Sequence, residues 1–345
     1  MSISDLPRWR RVHLFTVMMG LTLAAPLTAE SILKFATLAP EGSSWVTALR
    51  GIDKEIRVVS EGQMRLKIYA GGVQGDEEVM LRKIRIGQLQ GVGLGGSGLS
   101  GVLPEILALE MPFLFDDYDE IDHVLLQTSA FYRQAFLDAG FTLLGWSDIG
   151  FVYFMSQQPV RSVDDLRGRK VWRLQDEPLT GLLFKKAGVM SVPLTIPDVL
   201  LGLQTNLVDV VYASPSAAIV LQWFTRVKNY TDLPINYAIG AFLLQRKVFE
   251  DLPQAQQQQL LEVSARHIDA HNLRSRTDNA DALQIMQREG VVAISPAPGA
   301  VASFQQLVLD STADLVGHVF SREAHEQVQR HLAEFRADGT APAGR

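Results

Sequence analysis

Two stretches of the chain alternate short apolar runs with helical patterns, and this order constrains the fold more than any other feature of the sequence. In the first stretch, ILKFATLA (32–39), MRLKIY (64–69) and GQLQGVGLGG (87–96) have the composition of strands. Between the first two, apolar residues recur at helical spacing, as Trp45 and Leu49 do. Parallel strands are joined by helical crossovers, so the pattern predicts a parallel sheet with helices on its faces.

The second stretch has the same order of elements without any repeat of sequence. KVWRL (170–174), VMSVPL (189–194) and VDVVYA (208–213) are candidate strands, and Pro178 and Pro197 suit the first turns of the intervening helices. Two such units predict two α/β lobes with a cleft between them. Ligands of open α/β sheets bind beyond the carboxyl ends of the strands, so we expect the site there.

The C-terminal part of the chain is predicted to be mostly helical. From Pro253 to Glu289 there is no glycine and no second proline, which predicts one very long helix or two helices with a kink. A late strand at 291–295 and an amphipathic C-terminal helix follow, and we expect a disordered tail. The predicted organisation is a signal peptide at 1–29, a first lobe at 30–153 and about 239–275, a second lobe at 154–238 and about 276–335, and the tail at 336–345.

The first 29 residues have the pattern of a secretory signal peptide. RWRR (8–11) is a positive n-region, VHLFTVMMGLTLAA (12–25) is an apolar h-region, and the small Ala29 suits a cleavage site. The apolar run is shorter than the roughly 20 residues of a membrane span, and an uncleaved anchor is the alternative. The chain has no cysteine, which excludes a disulfide framework. We therefore expect a periplasmic protein.

No motif in the chain predicts catalysis or a cofactor. GVGLGG (91–96) fits G-x-G-x-x-G, but SGLSGVLPE follows it and reads as a loop, so we expect a strand end close to a ligand or another chain segment. Ser97 and Ser100 lie in that loop without an evident histidine partner or a G-x-S-x-G motif. The net charge of −6 argues against nucleic acid as a partner. The chain is therefore predicted to bind a ligand, not to be an enzyme.

Two clusters of His, Asp and Glu residues resemble metal sites only superficially. His267 and His271 share a helix face at a spacing of four, but a zinc site needs a third ligand, so we expect solvated helix positions. DDYDEID (116–122) lacks the glycine and late glutamate of a calcium loop. Its carboxylates suit the N-terminus of a helix. We predict no metal.

Five segments together resemble the DctP-type solute-binding proteins of TRAP (tripartite ATP-independent periplasmic) transporters. The segments are SEGQMRLKIYAGGVQGDEEVMLRKIRIGQLQ (60–90), LPEILALEMPFLFDDYDE (103–120), VRSVDDLRGRKVW (160–172), DVLLGLQTNLVDVVYASP (198–215) and FEDLPQAQQQQLLE (249–262). The resemblance implies a two-lobed periplasmic binding protein fold, type II-like, with the long helix bracing both lobes. It further implies capture of an organic acid by lobe closure and delivery to a membrane permease. An accessory periplasmic protein is a further candidate partner.

The chain departs from this family pattern where the ligand carboxylate is usually held. Family members carry an arginine at the position of Trp172, because a guanidinium pairs with a carboxylate through two hydrogen bonds. Arg173 is adjacent, but neighbouring residues of a strand point to opposite faces. Val152 stands where many members have a second arginine, and Tyr212 and Ala213 stand where many have Glu-Asn. The resemblance therefore indicates a variant without the usual anchor for a carboxylate.

We therefore predict a cleft for an apolar, aromatic or amphipathic ligand. Gln175 and Glu177 are candidate polar contacts after the strand of Trp172. Three alternatives stay open. The ligand could be a hydrophobic acid held by Arg173 or by backbone amides of the glycine-rich loop, or it could be a C4-dicarboxylate or other organic acid held by Arg173 with Trp172 in the core. In the third alternative, the protein senses a ligand and signals to a receptor. The predicted ligand-binding residues are Trp45, Ser97, Trp146, Tyr153, Trp172, Arg173, Tyr212, Ser214 and Trp223.

Overall fold

The computed structural model describes residues 30–175 and 177–339, apart from the side chain of Ser97. The predicted signal peptide and residues 340–345 of the predicted tail lie outside this part of the chain. The strands are β1 Ser31–Thr37, β2 Met64–Tyr69, β3 Gly91–Gly95, β4 Phe141–Ser156, β5 Val171–Leu174, β6 Ser191–Leu194, β7 Val210–Ala213, β8 Asn229–Thr231, β9 Asn236–Gln245 and β10 Val292–Ile294.

Helices flank the strands in the predicted alternation. The helices are α1 Ser44–Val59, α2 Glu77–Arg85, α3 Gly96–Val102, α4 Tyr118–Gln127, α5 Ser129–Asp138, α6 Val163–Leu166, α7 Pro178–Ala187, α8 Ile196–Gln204, α9 Pro215–Val220, α10 Arg246–Glu250, α11 Gln254–Arg288, α12 Ala300–Leu315 and α13 Arg322–Ala337. Two 3₁₀ helices span Pro104–Ala108 and Trp223–Arg226.

The strands form two parallel groups that two antiparallel strands join. In the described part of the chain the sheet order is β2-β1-β3-β9-β4-β7-β5-β6, with β8 beside β4 and β10 beside β8. The pairs β1–β2, β1–β3, β5–β6 and β5–β7 are parallel, as the sequence predicted for each lobe. Strand β4 pairs with β9 from Phe141 to Val152 and with β7 from Tyr153 onward, so it crosses from one lobe to the other.

The long helix is a single element that contacts both lobes. Helix α11 packs on α1 in the first lobe, along β4, and on α9 in the second lobe. Its inner face carries polar groups that hydrogen-bond the backbone of β4. Asn272 accepts from Asp148 N at 2.9 Å, and Ser275 Oγ donates to Asp148 O at 2.7 Å. Asn279 donates to Ile149 O at 2.9 Å. These bonds fix the helix to the strand where the lobes meet.

The C-terminal region differs from the prediction in three respects. The single predicted helix is two helices, α12 and α13, and only α12 packs on the second lobe, against α7 and α6. Helix α13 lies on α4 and the first 3₁₀ helix of the first lobe, although the sequence assigned it to the second. The predicted tail also begins too early, because Arg336 is helical and its Nε donates to buried Glu120 at 2.6 Å.

Candidate ligand-binding cleft

A cavity of about 750 Å³, partly open to solvent, lies between the two lobes. The second lobe supplies the aromatic wall and the first lobe supplies the facing side. Residues of the first lobe that line it are Gly96, Glu110, Ile149, Val152, Asn236 and Ala238. The sequence placed Asn236 and Ala238 in the second lobe, but they belong to β9, which pairs with β3 and with the first-lobe part of β4. Residues of the second lobe that line it are Trp172, Leu174, Glu177, Leu179, Thr180, Ile196, Tyr212, Ala213, Ser214, Ala217, Leu221 and Trp223.

Trp172 is at the centre of the aromatic wall. Side chains alternate along β5, so Trp172 and Leu174 share the face that lines the cavity. Trp172 is 4% exposed, and its Nε1 donates to Leu194 O at 3.0 Å. Its ring lies 4.8 Å from the ring of Tyr212 and meets Trp223 edge-on at 5.1 Å. Three rings therefore support one another along a continuous apolar surface.

Arg173 lies on the other face of the same strand. Its guanidinium is half-buried and donates to the backbone of Leu174 at 3.3 Å, and it is not among the lining residues of the cavity in the described part of the chain. Burial raises the pKa of the Glu177 carboxyl, and the positive charge of Arg173 opposes this rise. The strand alternation thus places the tryptophan, and not the arginine, towards the cleft.

Tyr212 and Ser214 line the cavity through the end of β7. The Tyr212 hydroxyl accepts from Leu174 N at 3.2 Å and lies 3.4 Å from the Thr180 hydroxyl. Burial raises the pKa of Tyr212, so this phenol stays neutral. Ser214 is buried and caps α9, where its hydroxyl accepts from Ala217 N at 3.4 Å. Both side chains are held in place by the ends of neighbouring elements.

Three predicted site residues are packing residues instead. Trp45 lies under the first-lobe sheet, 5.0 Å from Phe242, and Gly93 leaves the room that its indole occupies. Trp146 packs edge-on against the α5 rings of Tyr132 and Phe136, at 5.6 and 5.7 Å. Tyr153 meets Tyr230 edge-on at 6.1 Å in the second-lobe core. The backbone of Ser97 is in α3, and its side chain lies outside the described part of the chain.

Glu110 and Asn236 line the cleft and were missed by the sequence analysis. Glu110 is 7% exposed, and its Oε1 accepts from Ile239 N at 3.0 Å. Burial, with a smaller contribution from Glu177 and Glu77, raises the pKa of Glu110 to about 8. The Asn236 amide donates to the backbone oxygen of Glu110 at 3.4 Å. The sequence feature that could have identified Glu110 is its position as a single acid within the apolar run LALEMPFLF.

A second apolar cavity of about 650 Å³ adjoins the cleft beneath α7 and α12. Four phenylalanines, Phe113, Phe154, Phe184 and Phe304, form much of its wall. Phe113 has φ of 58°, a left-handed conformation that is costly for a bulky side chain. The two cavities share five lining residues, which are Glu110, Leu179, Thr180, Tyr212 and Asn236.

The glycine-rich loop proves to be a strand followed at once by a helix, not by a loop. Helix α3 begins at Gly96, and the Glu77 carboxylate accepts from Gly95 N and Gly98 N, both at 2.9 Å. The amides of Gly95 and Gly98 therefore donate to Glu77 of the protein itself. This contradicts the alternative in which these amides hold a ligand carboxylate. Gly91 and Gly93 lie against the rings of Phe35 and Trp45, where a Cβ would collide. Close approach of other chain segments accounts for these glycines, as predicted.

The residues weighed as metal ligands have other partners. Within the described ranges, no group of three His, Cys, Asp or Glu side chains could hold a metal ion. His267 Nε2 lies 2.8 Å from Glu55. His271 is buried, not solvated as predicted, and its Nε2 lies 2.8 Å from the Ser147 hydroxyl. Burial lowers the pKa of His271 to about 4, so the ring is neutral.

The acidic segment at 116–122 forms the predicted helix start, with Asp117 accepting from Glu120 N at 3.0 Å as the N-cap of α4. None of the described helices is both long enough and apolar enough to cross a membrane.

Comparisons with known proteins agree with this architecture. The family model of DctP, bacterial extracellular solute-binding protein, family 7, matches residues 35–316. A solute-binding protein of Verminephrobacter eiseniae is 24% identical over 275 residues, which are 78% of this chain and 81% of that protein.

Solved structures of TRAP periplasmic solute-binding proteins share the fold. One from Xanthobacter autotrophicus with bound β-D-galacturonate has a TM-score of 0.81 at 20% identity, covering 87% of this chain and 99% of that one. The sugar acid binding protein DctPAm of Advenella mimigardefordensis, in complex with galactonate, has a TM-score of 0.83 at 20% identity, covering 89% and 99%. The two-lobed α/β fold and a binding role without catalysis are thereby confirmed. The chain belongs to the DctP family of bacterial extracellular solute-binding proteins.

Proposed function

We propose that this protein is the extracytoplasmic subunit of a TRAP-type secondary transporter, and that it captures a small organic ligand with an aromatic or apolar body in the cleft between its lobes. The captured ligand is then delivered to the membrane permease. The family and the two-lobed fold support the transport role.

The observation that carries the ligand class is the ring cluster of Trp172, Tyr212 and Trp223 on the cavity wall. Within the described part of the chain, no lysine, arginine or histidine lines either cavity. A small dicarboxylate would lose its hydration here without gaining a cation, which is costly. An aromatic ligand face buried on the rings would instead favour binding by roughly 1.5–3 kcal/mol.

Capture follows from the way the lobes are connected. Strand β4 crosses between them, and α11 is hydrogen-bonded to β4 at Asp148 and Ile149, so the lobes are expected to move about this region. Closure would bring Ile149 and Val152 of the first lobe onto a ligand that lies on Trp172. Excluding water in this way strengthens each polar contact inside the cleft.

An organic acid held by Arg173 is the second candidate function. The solved relatives were obtained with galacturonate and galactonate, both of which are sugar acids. The charge of Arg173 acts on Glu177, which lines the cleft, so the guanidinium is close to the cavity although it points away from it. This candidate requires the side chain of Arg173 to swing into the cleft when ligand binds.

The experiment is a thermal-shift screen of aromatic, aliphatic and hydrophilic organic compounds, followed by calorimetric titration of each hit. Ligand binding to the folded state raises the melting temperature. We expect aromatic or apolar hits whose affinity falls at least tenfold in W172A and is unchanged in R173A. The control W146F alters a tryptophan that packs on α5 away from the cavity. Hits that are hydrophilic acids, weakened by R173A and not by W172A, would overturn the proposal in favour of the second candidate.

A further inference from the structure

The α7–α12 cavity, the apolar space beneath these two helices, is large enough to hold part of a ligand. Its volume of about 650 Å³ is within the range of roughly 300–1,000 Å³ that small-molecule sites have. Protein interiors are close-packed, so an apolar space of this size is destabilising while nothing fills it. Apolar cavities also stay dry and take up apolar molecules. The α7–α12 cavity is therefore a candidate binding site.

The polarity of its wall changes from one end to the other. Its polar lining residues in the described part of the chain all line the cleft as well, and they are Glu110, Thr180, Tyr212 and Asn236. Every described residue that lines this cavity alone is apolar, as Phe184, Phe304 and Val308 are. The cavity therefore has a polar end at the cleft and an apolar end away from it, which is the polarity of an amphipathic molecule.

A layer one residue thick separates this cavity from the cleft, because the same side chains line both. The Tyr212 ring belongs to this layer and lies 4.8 Å from the Trp172 ring in the cleft and 6.4 Å from the Phe154 ring in the α7–α12 cavity. Phe154 in turn stacks on Phe304 of α12 at 6.2 Å. One row of rings thus leads from the cleft to the apolar end, and displacing the shared side chains would join the two spaces.

Both lobes contribute to the α7–α12 cavity. Phe113 precedes α4 of the first lobe, and its ring lies 6.0 Å from Phe304 on α12 of the second lobe. Its left-handed backbone, with φ of 58°, is fixed by a hydrogen bond from Phe113 N to Ile235 O at 2.8 Å. Strained backbone of this kind is found where a protein clamps a ligand. Movement of the lobes would therefore change this cavity together with the cleft.

We propose that the ligand is elongated and amphipathic, with an alkyl or aryl tail that enters the α7–α12 cavity while its head lies in the cleft on Trp172. The tail then meets apolar side chains, and the polar residues shared by the two cavities surround the part next to the head. An acidic or a neutral head is compatible with this arrangement, because the cleft is partly open and leaves the head hydrated. The inference rests on the proposed function, since it extends the ligand class of the same cleft.

The test compares compounds that differ in the length of the tail. The probes are 4-methyl-, 4-butyl- and 4-hexylbenzamide and the corresponding benzoates, each measured by calorimetric titration. Burial of each additional CH₂ should tighten binding by about threefold to fourfold. In the wild type, the hexyl compound should therefore bind at least tenfold more tightly than the methyl compound with the same head.

Two variants fill the α7–α12 cavity at residues that do not line the cleft. V308F fills it from α12, and L183F fills it from α7. Both should keep the affinity for the methyl compounds and lose most of the gain that the hexyl chain brings. The control L309F places the same ring at a 66% exposed position of α12 outside both cavities, and it should keep the gain. If one filled variant folds poorly, the other decides.

Two results would overturn the tail site. The first is a hexyl compound that binds the wild type no more tightly than the methyl compound does. The second is a gain that the filled variants retain, because the tail would then lie elsewhere. Either result leaves the aromatic cleft standing, since the methyl compounds still bind. Failure of every compound to bind would instead overturn the aromatic cleft and the tail site with it, so the two failures are distinguishable.

Discussion

The E110Q substitution should change how the stability of the ligand-free protein depends on pH. In the unfolded chain this carboxyl ionises near its ordinary value of 4.5, whereas burial in the folded protein raises its pKa to about 8. Between these values the folded state binds one more proton than the unfolded state. The free energy of unfolding therefore falls as the pH rises through this range.

The magnitude follows from the size of the shift. The free energy of unfolding falls by about 1.4 kcal/mol for each pH unit between 4.5 and 8. Glu110 alone therefore makes the wild type on the order of 3 kcal/mol less stable at pH 7 than at pH 4.5. Glu110 is 7% exposed, so solvent screens this cost little. Glutamine keeps the oxygen that accepts from Ile239 N and has no proton to lose. E110Q should therefore gain stability relative to the wild type as the pH rises from 5 to 8.

The assay is urea unfolding followed by circular dichroism at pH 5, 6, 7 and 8. The variant E326Q, which alters an exposed carboxylate on α13, is the control for removing a charge. We expect the difference in the free energy of unfolding between E110Q and the wild type to grow by about 3 to 4 kcal/mol from pH 5 to pH 8. Two stability curves that run parallel from pH 5 to pH 8 would refute the reasoning.

Other predictions concern the region where β4 meets α11. Arg276 Nε donates to Asp148 at 2.6 Å, and Asp148 is 3% exposed. R276A should therefore cost about 3–5 kcal/mol in urea unfolding, because the buried carboxylate keeps the hydrogen bond from the Tyr237 hydroxyl but loses its counter-charge. Among the described residues, the exposed Arg274 forms an ion pair only with Asp278 in the same helix, so R274A should cost about 0.5 kcal/mol or less. Equal costs for R276A and R274A would contradict this reasoning. Gly150 has φ of 114°, and a Cβ there would collide with the Asn279 amide. G150A should therefore lower the melting temperature by several degrees. An unchanged melting temperature would show that the contact relaxes freely.

Much of the fold was predictable because alternation of strands and helices is a local property of the sequence. The long helix is one element, as an uninterrupted run from Pro253 to Glu289 suggested. Helix α3 was missed because it is short and rich in glycine, and its start is satisfied by Glu77, which lies 18 residues before Gly95. The amphipathic pattern of α13 showed that it has an apolar face without showing that α4 covers it.

Part of the predicted site lies at the cavity: among the described residues, Trp172, Tyr212, Ser214 and Trp223 line it, whereas Trp45, Trp146, Tyr153 and Arg173 do not. The four positions where the resemblance predicted a departure from the family pattern, Val152, Trp172, Tyr212 and Ala213, all line the cavity. Selecting aromatic residues alone failed for Trp45, because its place depends on distant glycines that leave room for the ring. Glu110 was missed because nothing next to it in the sequence distinguishes a buried acid from an exposed one.

The most direct test of the central claim is native mass spectrometry of the protein purified under native conditions, followed by denaturing release of whatever is bound. We expect a co-purifying molecule with an aromatic or apolar body, which W146F retains and W172A loses. A small hydrophilic carboxylate that W172A retains and R173A loses would contradict the account, and would identify Arg173 as the anchor of the ligand.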